Sequence, residues 1–127
     1  MRVLPDLPFG WRWESLGDVA SWSSGGTPKS RTPHFYGGHI PWAVIGDLND
    51  GVVTHTVATI TSAGLAASSA KIVPAGTVLV AMYGSIGKLG IAGMEMATNQ
   101  AIACARPMPS VDPRYLFYWL LGQRPTL

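Results

Sequence analysis

The sequence predicts an α+β domain with a predominantly β core, few short helices, long recognition-type loops and a C-terminal helix. Three observations carry this. Apolar and β-branched residues gather in short runs; turn formers separate them, with 15 Gly and 10 Pro in 127 residues; and only the segment from Asp112 joins a helix-start signal to helical apolar spacing. Hydrophobic residues make up 47% of the chain and charged residues 13%, the composition of a packed domain, since disordered chains are poor in apolar residues. One domain is expected over residues 1–127, able to bury roughly two-thirds of its unfolded surface.

Leu4-Pro5-Asp6-Leu7-Pro8-Phe9-Gly10 reads as an extended lead-in arm, because its prolines and glycine disfavour helix. Leu16, Val19 and Ala20 suit one amphipathic turn, with Trp11 and Trp13 as core anchors. Residues 23–38 hold two glycine pairs, two prolines and several serine and threonine residues before Tyr36, so a long irregular loop is expected. Long loops in compact domains are usually functional.

Residues 40–45 read as a strand with Pro41 near its start, 46–51 as a polar turn, and 52–60 as a half-buried strand or hairpin. Thr61 or Ser62 suits the N-cap of a short helix through Leu65 and Ala67. Residues 71–73 and 77–83 read as strands on either side of the turn Pro74-Ala75-Gly76, the second apolar on both faces and therefore central. A glycine-rich loop over 84–90 precedes a strand at Ile91–Ala92 and another over 98–105. Asp112 and Pro113 supply a cap and a first helical position. Tyr115, Leu116, Trp119 and Leu120 are expected to form the buried stripe of that helix, and Gly122 and Pro125 its end.

A net charge of +2 does not by itself announce a nucleic-acid binder. Its distribution adds something: no acidic residue lies between Asp18 and Asp47, a stretch that holds Lys29, Arg31, His34 and His39. The single cysteine, Cys104, lies in an apolar run and rules out an intrachain disulfide. With no signal-like segment and no run of eighteen apolar residues, a cytoplasmic location is expected.

Catalytic patterns fail one by one. Gly84-Ser85-Ile86-Gly87-Lys88 resembles the end of a phosphate-binding loop, but the first glycine of that motif would fall at Met82 and Leu89 stands where Ser or Thr belongs. His34, His39, His55 and Cys104 do not make zinc spacing, and no G-x-S-x-G elbow exists. No catalytic residue, metal or cofactor is expected.

Residue types that contact DNA do concentrate in the predicted loops. Lys and Arg suit phosphates, while Asn, Gln and Asp suit base edges. Lys29, Arg31, His34 and Tyr36 lie in the first loop, Asp47 and Asn49 in the second, Tyr83, Ser85 and Lys88 in the third, and Asn99 and Gln100 open a strand. For Asn99 and Gln100, capping that strand is an equal alternative. A different class, a β-rich module binding carbohydrate or protein through the five tryptophans and four tyrosines, would require an exposed aromatic stripe.

An ordered set of segments adds a resemblance. Leu7-Pro8-Phe9-Gly10-Trp11, Leu16-Gly17-Asp18-Val19-Ala20, Gly25-Gly26-Thr27-Pro28, Ile40-Pro41-Trp42 and Asp47-Leu48 are followed by Ser68-Ser69-Ala70-Lys71, Pro74-Ala75-Gly76-Thr77-Val78-Leu79, Gly84-Ser85-Ile86-Gly87-Lys88, Ala97-Thr98-Asn99-Gln100-Ala101 and Asp112-Pro113-Arg114-Tyr115-Leu116. Together they resemble a single target-recognition domain of the specificity subunits of type I restriction-modification systems. The resemblance implies a non-catalytic reader of double-stranded DNA that directs a modification methyltransferase and restriction complex to one half of a bipartite site. In such a complex other subunits methylate adenine, using S-adenosylmethionine, or translocate and cut. It implies double-stranded DNA as a partner, with methyltransferase and motor/restriction subunits beyond it, and no membrane. Relative to a complete subunit, the chain is expected to stop before the long helices and to lack a second recognition domain, so a homodimer is one route to a second half.

Overall fold

In the computed structural model, residues 19–82 and 87–122 are described; the arm at Leu4–Gly10, Trp11, Trp13, Leu16, residues 83–86 with Tyr83 and Ser85, and Pro125 lie outside them. The strands are β1 (Ala20–Ser24), β2 (Tyr36–Ala43), β3 (Val52–Val53), β4 (Ala58–Ile60), β5 (Val78–Ala81), β6 (Leu89–Ala92), β7 (Ala97–Thr98) and β8 (Ile102–Pro107). The helices are α1 (Ser62–Ala66) and α2 (Pro113–Gly122), with 3-10 turns at Pro33–Phe35 and Ile45–Asp47. One sheet has the order β1-β8-β5-β6-β3 and the other β4-β2-β7. Pairing is antiparallel except for β3 with β6 and β2 with β7.

β5 occupies the middle of the larger sheet, as its two-sided apolar pattern requires. Leu79 and Ala81 join a cluster with Ala43, Leu48, Met96, Ile102 and Cys104, which draws on both sheets. Val78, one position out of phase, instead joins Leu116, Phe117 and Leu120 of α2 on the opposite face. A third cluster, Ile40, Trp42, Ile60, Ala70 and Ala97, packs on the smaller sheet beside Leu65 of α1. Burial among these apolar neighbours pushes the Cys104 thiol above its ordinary pKa, so it stays a neutral core side chain.

Both predicted caps form. Thr61 Oγ1 accepts a hydrogen bond from Gly64 N at 3.0 Å, and Asp112 Oδ1 accepts one from Arg114 N at 2.8 Å. Gly76 makes the turn before β5 with φ +91°.

Several expectations need correction. The first loop is shorter, because Ser23 and Ser24 pair with Cys104 and Ala103 in β1–β8. At its other end Gly37 (φ +78°) and Gly38 lie inside β2. There Tyr36 and Ile40 both register with Ile60, the mark of a bulge. The region over 52–60 is no hairpin: β3 pairs with β6 in one sheet and β4 with β2 in the other. Residues 98–105 likewise divide between β7 and β8, one in each sheet. Pro41 sits within β2, where β7 reaches only Trp42 and Ala43, so one side of β2 is unpaired at the proline. Residues 71–73 contribute a single bridge, Val73 with Met96. Finally, α2 buries Leu116, Phe117 and Leu120 and leaves Tyr115, Tyr118 and Trp119 partly or largely exposed.

Candidate nucleic-acid interface

The two sheets meet at the short turn Asn99–Ala101, which leaves β7 and enters β8. Ladder registers place the ends of several other strands around it. Asn99 N donates to Ala43 O at the end of β2 (3.0 Å), Met82 N after β5 donates to Ala101 O (2.8 Å), and Ala81 N donates to Lys88 O just before β6 (2.9 Å). Ser24, the last residue of β1, registers with Ala103. The segments leaving these strands therefore emerge at one end of the molecule: the loop after β1, the turn after β2, the loop between β5 and β6, and the β7–β8 turn itself.

The first loop is tightly held at its base. Gly26 N donates to Thr98 O (3.0 Å), Trp42 Nε1 donates to Gly26 O (3.0 Å), and Tyr36 Oη donates to Pro28 O (2.5 Å). Thr27 Oγ1 donates to Gln100 Oε1, and Pro28 is fully buried. No side chain fits at Gly25 or Gly26: a Cβ would lie 2.0 Å from Thr98 O at the first and 2.6 Å from Ala70 N at the second. Beyond this anchored base the tip is open. Lys29 and Arg31 are exposed, and Arg31 holds a left-handed backbone, φ +60°, which a non-glycine residue keeps only where its surroundings dictate it.

The second loop uses its polar side chains internally. Asp47 accepts from Val44 N through Oδ2 (2.9 Å) and from Val57 N through Oδ1 (3.1 Å). Asp50 Oδ1 accepts from Leu89 N (3.0 Å). Asn49 Oδ1 accepts from Gly51 N (3.0 Å) while its Nδ2 donates to Val52 O (3.1 Å). The two carboxylates are thus turned onto backbone amides, and Asn49 closes its own turn.

Of the residues expected to contact DNA, the structure brings Lys88, Asn99 and Gln100 to the shared end, together with Asp47 and Asn49 as loop builders, while Lys29 and Arg31 lie on the exposed stretch of the first loop between Pro28, held by Tyr36, and His34. Lys88 is half-buried and Gln100 exposed. Asn99 Oδ1 accepts from Ala101 N (3.1 Å), which shapes the turn. Tyr36 packs edge-on against Trp42, with centroids 6.0 Å apart, so it supports the first loop from beneath. His34 stands apart: its carbonyl accepts from Thr61 Oγ1 (2.7 Å), beyond the far end of β4. Sequence reasoning missed two contributors. Thr27, the partner of Gln100, sits in a Gly-Gly-Thr-Pro run whose polar residue is recognisable as a loop anchor. Val57 is 88% exposed just before β4 and carried no distinguishing sequence signal.

A β scaffold with several loops anchored at one end, two exposed cations on one of them, defines a recognition domain. The particular kind emerges from comparison with known proteins. Residues 8–125 match the family model described as the type I restriction modification DNA specificity domain, and the chain belongs to that family. It is therefore a specificity domain and not a catalytic one. It is 29% identical over 115 residues to the type I restriction enzyme MjaIX specificity subunit of Methanocaldococcus jannaschii, a match spanning 88% of this chain and 27% of that protein. To the EcoR124I/EcoR124II specificity subunit of Escherichia coli it is 26% identical over 117 residues, 88% of this chain and 29% of that one. The HsdS subunit from Thermoanaerobacter tengcongensis superimposes with a TM-score of 0.77 at 27% identity, over 96% of this chain and 30% of that one. The type I S subunit from M. genitalium, at TM-score 0.62 and 14% identity over 89% of this chain and 26% of that one, shares the fold. The chain thus spans less than a third of the length of these relatives. The class of β-rich carbohydrate or protein binder draws no support from them.

Proposed function

We propose that this chain reads one half of a bipartite site in double-stranded DNA and takes no catalytic part in the modification or cutting of that DNA. The observation that carries the reading is the convergence of the polar loops on one end of the two sheets. Lys29, Arg31 and Lys88 supply phosphate contacts that fix the register of the protein on the duplex. Gln100, its Oε1 already engaged by Thr27 and its Nε2 available to donate, faces base edges with Asn99 beside it. Tyr83 and Ser85, outside the described residues, are assigned to the interface from the sequence alone. Asp47, Asn49 and Tyr36 serve by shaping the loops, and His34, in the turn before β2 with its carbonyl held by Thr61 Oγ1, stands apart from them.

A single half-site reader binds weakly. Non-specific affinity is ~10⁻⁴ to 10⁻⁶ M at physiological salt, and each base contact adds roughly 1–3 kcal/mol of discrimination. Tight binding calls for a second reader, in the same polypeptide or in a homodimer, because tethering raises effective concentration. We extend to this chain the assembly implied by the relatives' names: a cytoplasmic complex with methyltransferase and restriction subunits that it directs to its site. Selection of bound duplexes from a random pool, with the chain dimerised by a fused coiled coil, tests the reading. A short enriched motif is expected; no enrichment over the starting pool refutes it.

A further inference from the structure

Val57 stands apart from the cations and amides at the loop end. It is 88% exposed, the most exposed of the large apolar residues among those described. Yet its backbone is held on both sides. Val57 N donates to Asp47 Oδ1 (3.1 Å), and the preceding Thr56 is buried, its hydroxyl donating to Ala58 O (2.8 Å). Asp47 in turn grips Val44 N at the end of β2. One carboxylate therefore fixes Val57 relative to the strand that also positions Asn99.

Its place is set by the register. Ala58 pairs with Trp42, and Trp42 with Ala97, so Val57 stands one residue beyond that row, level with Ala43 and Thr98. Two inter-strand spacings separate it from Thr98, about 10 Å. That is close to the roughly 12 Å width of a DNA major groove. Val57 and Thr98, the residue from which the chain turns through Asn99 to Gln100, thus lie within the width of one groove.

The neighbours of Val57 in this loop do not extend it into an apolar surface: Thr54 and His55 are exposed and polar, and Thr56 points inward. A protein partner buries contiguous apolar area, which this loop does not offer. A small isolated apolar group does occur on the major-groove edge of DNA, the 5-methyl of thymine. Resting on the half-site reading above, we propose that Val57 is a specificity-determining residue that packs against a thymine methyl and selects thymine at one position.

The test uses the dimerised 127-residue chain and its selected duplex. Each thymine is replaced in turn by deoxyuridine, which removes the methyl and leaves every hydrogen-bonding group unchanged. At one thymine the wild type is expected to lose affinity about four-fold, which is ~0.8 kcal/mol at 1.36 kcal/mol per ten-fold change. Val57→Ala is expected to bind the thymine duplex as weakly as the wild type binds the deoxyuridine duplex, and to be indifferent to the replacement. Val57→Thr, which keeps one γ-methyl, should fall between them. Melting curves of both variants should match the wild type, given the exposure of the side chain. A motif without a methyl-sensitive thymine, or a methyl effect undiminished in Val57→Ala, overturns the assignment of Val57 and leaves the half-site reading standing. Failure to select any motif overturns both.

Discussion

Replacing Gly25 with alanine probes the anchorage of the first loop directly. The new Cβ would lie 2.0 Å from Thr98 O, 2.3 Å from Thr98 Oγ1 and 2.5 Å from Thr98 C. Two of these atoms are main chain, fixed in β7, so rotation of a side chain cannot relieve them. Ordinary contact begins near 3.4 Å, so loop and strand must part by about 1.4 Å, which stretches the adjacent Gly26 N to Thr98 O bond beyond use. Overpacking costs about 1–3 kcal/mol and a lost hydrogen bond about 1 kcal/mol, for a total of about 2–4 kcal/mol. Against a domain stability of roughly 5–15 kcal/mol this is a large fraction, and it corresponds to a fall in Tm of about 10 °C. Urea and thermal melts of Gly25→Ala, with Gly46→Ala as control, measure it; at Gly46 a Cβ meets nothing within 4 Å. Stability of Gly25→Ala within about 0.5 kcal/mol of that control would show that the loop is not pinned on β7.

Other expectations can be checked with the same chain. Lys29→Ala and Lys88→Ala should weaken binding to every duplex alike and each reduce the slope of log K against log salt by about one, measured by anisotropy titration across a salt series. Tyr36→Phe removes the bond to Pro28 O and should likewise lower affinity without altering base preference; a changed motif in duplex selection would restore Tyr36 to direct contact. The guanidinium and backbone amide of Arg114 hold the Asp112 carboxyl below the ordinary carboxylate range. Because the folded-state pKa is depressed, this stabilisation is present above the unfolded pKa and is lost as pH falls through the folded one. Asp112→Ala should therefore lower Tm at neutral pH, and the gap from the wild type should narrow under strongly acid conditions.

Features decided within a few residues were legible from the sequence: the caps at Thr61 and Asp112, the turn at Gly76, and the central place of β5. Pairings between distant segments were not. Residues 52–60 look like one strand or hairpin because alternation records only which side faces an apolar layer, and both sheets supply one. In α2, Tyr115 and Trp119 are as well spaced for burial as Leu116 and Leu120; the sheet beneath chose Leu116, Phe117 and Leu120. The polar loops were legible as loops, whereas the convergence of the strand ends they leave from depends on long-range registers. Asp47 has a structural task that the sequence reading did not include, for a local reason. A carboxylate near the start of a tight turn has backbone N–H groups within reach, and here it satisfies two of them. The Asn49-x-Gly51 spacing was a turn signal as much as a base-reading one.

The turn at Asn99–Ala101 is the span by which one sheet hands the chain to the other. Thr27, Gln100 and Val57 take their positions from the smaller sheet and its edge, Lys88 from the larger. The length of the turn is fixed from both sides, because Asn99 N is bonded to Ala43 O and Ala101 O to Met82 N. A residue added or removed there would cost one of these bonds, so the turn is the place where the setting of the smaller sheet's loops is tied to that of the larger sheet's.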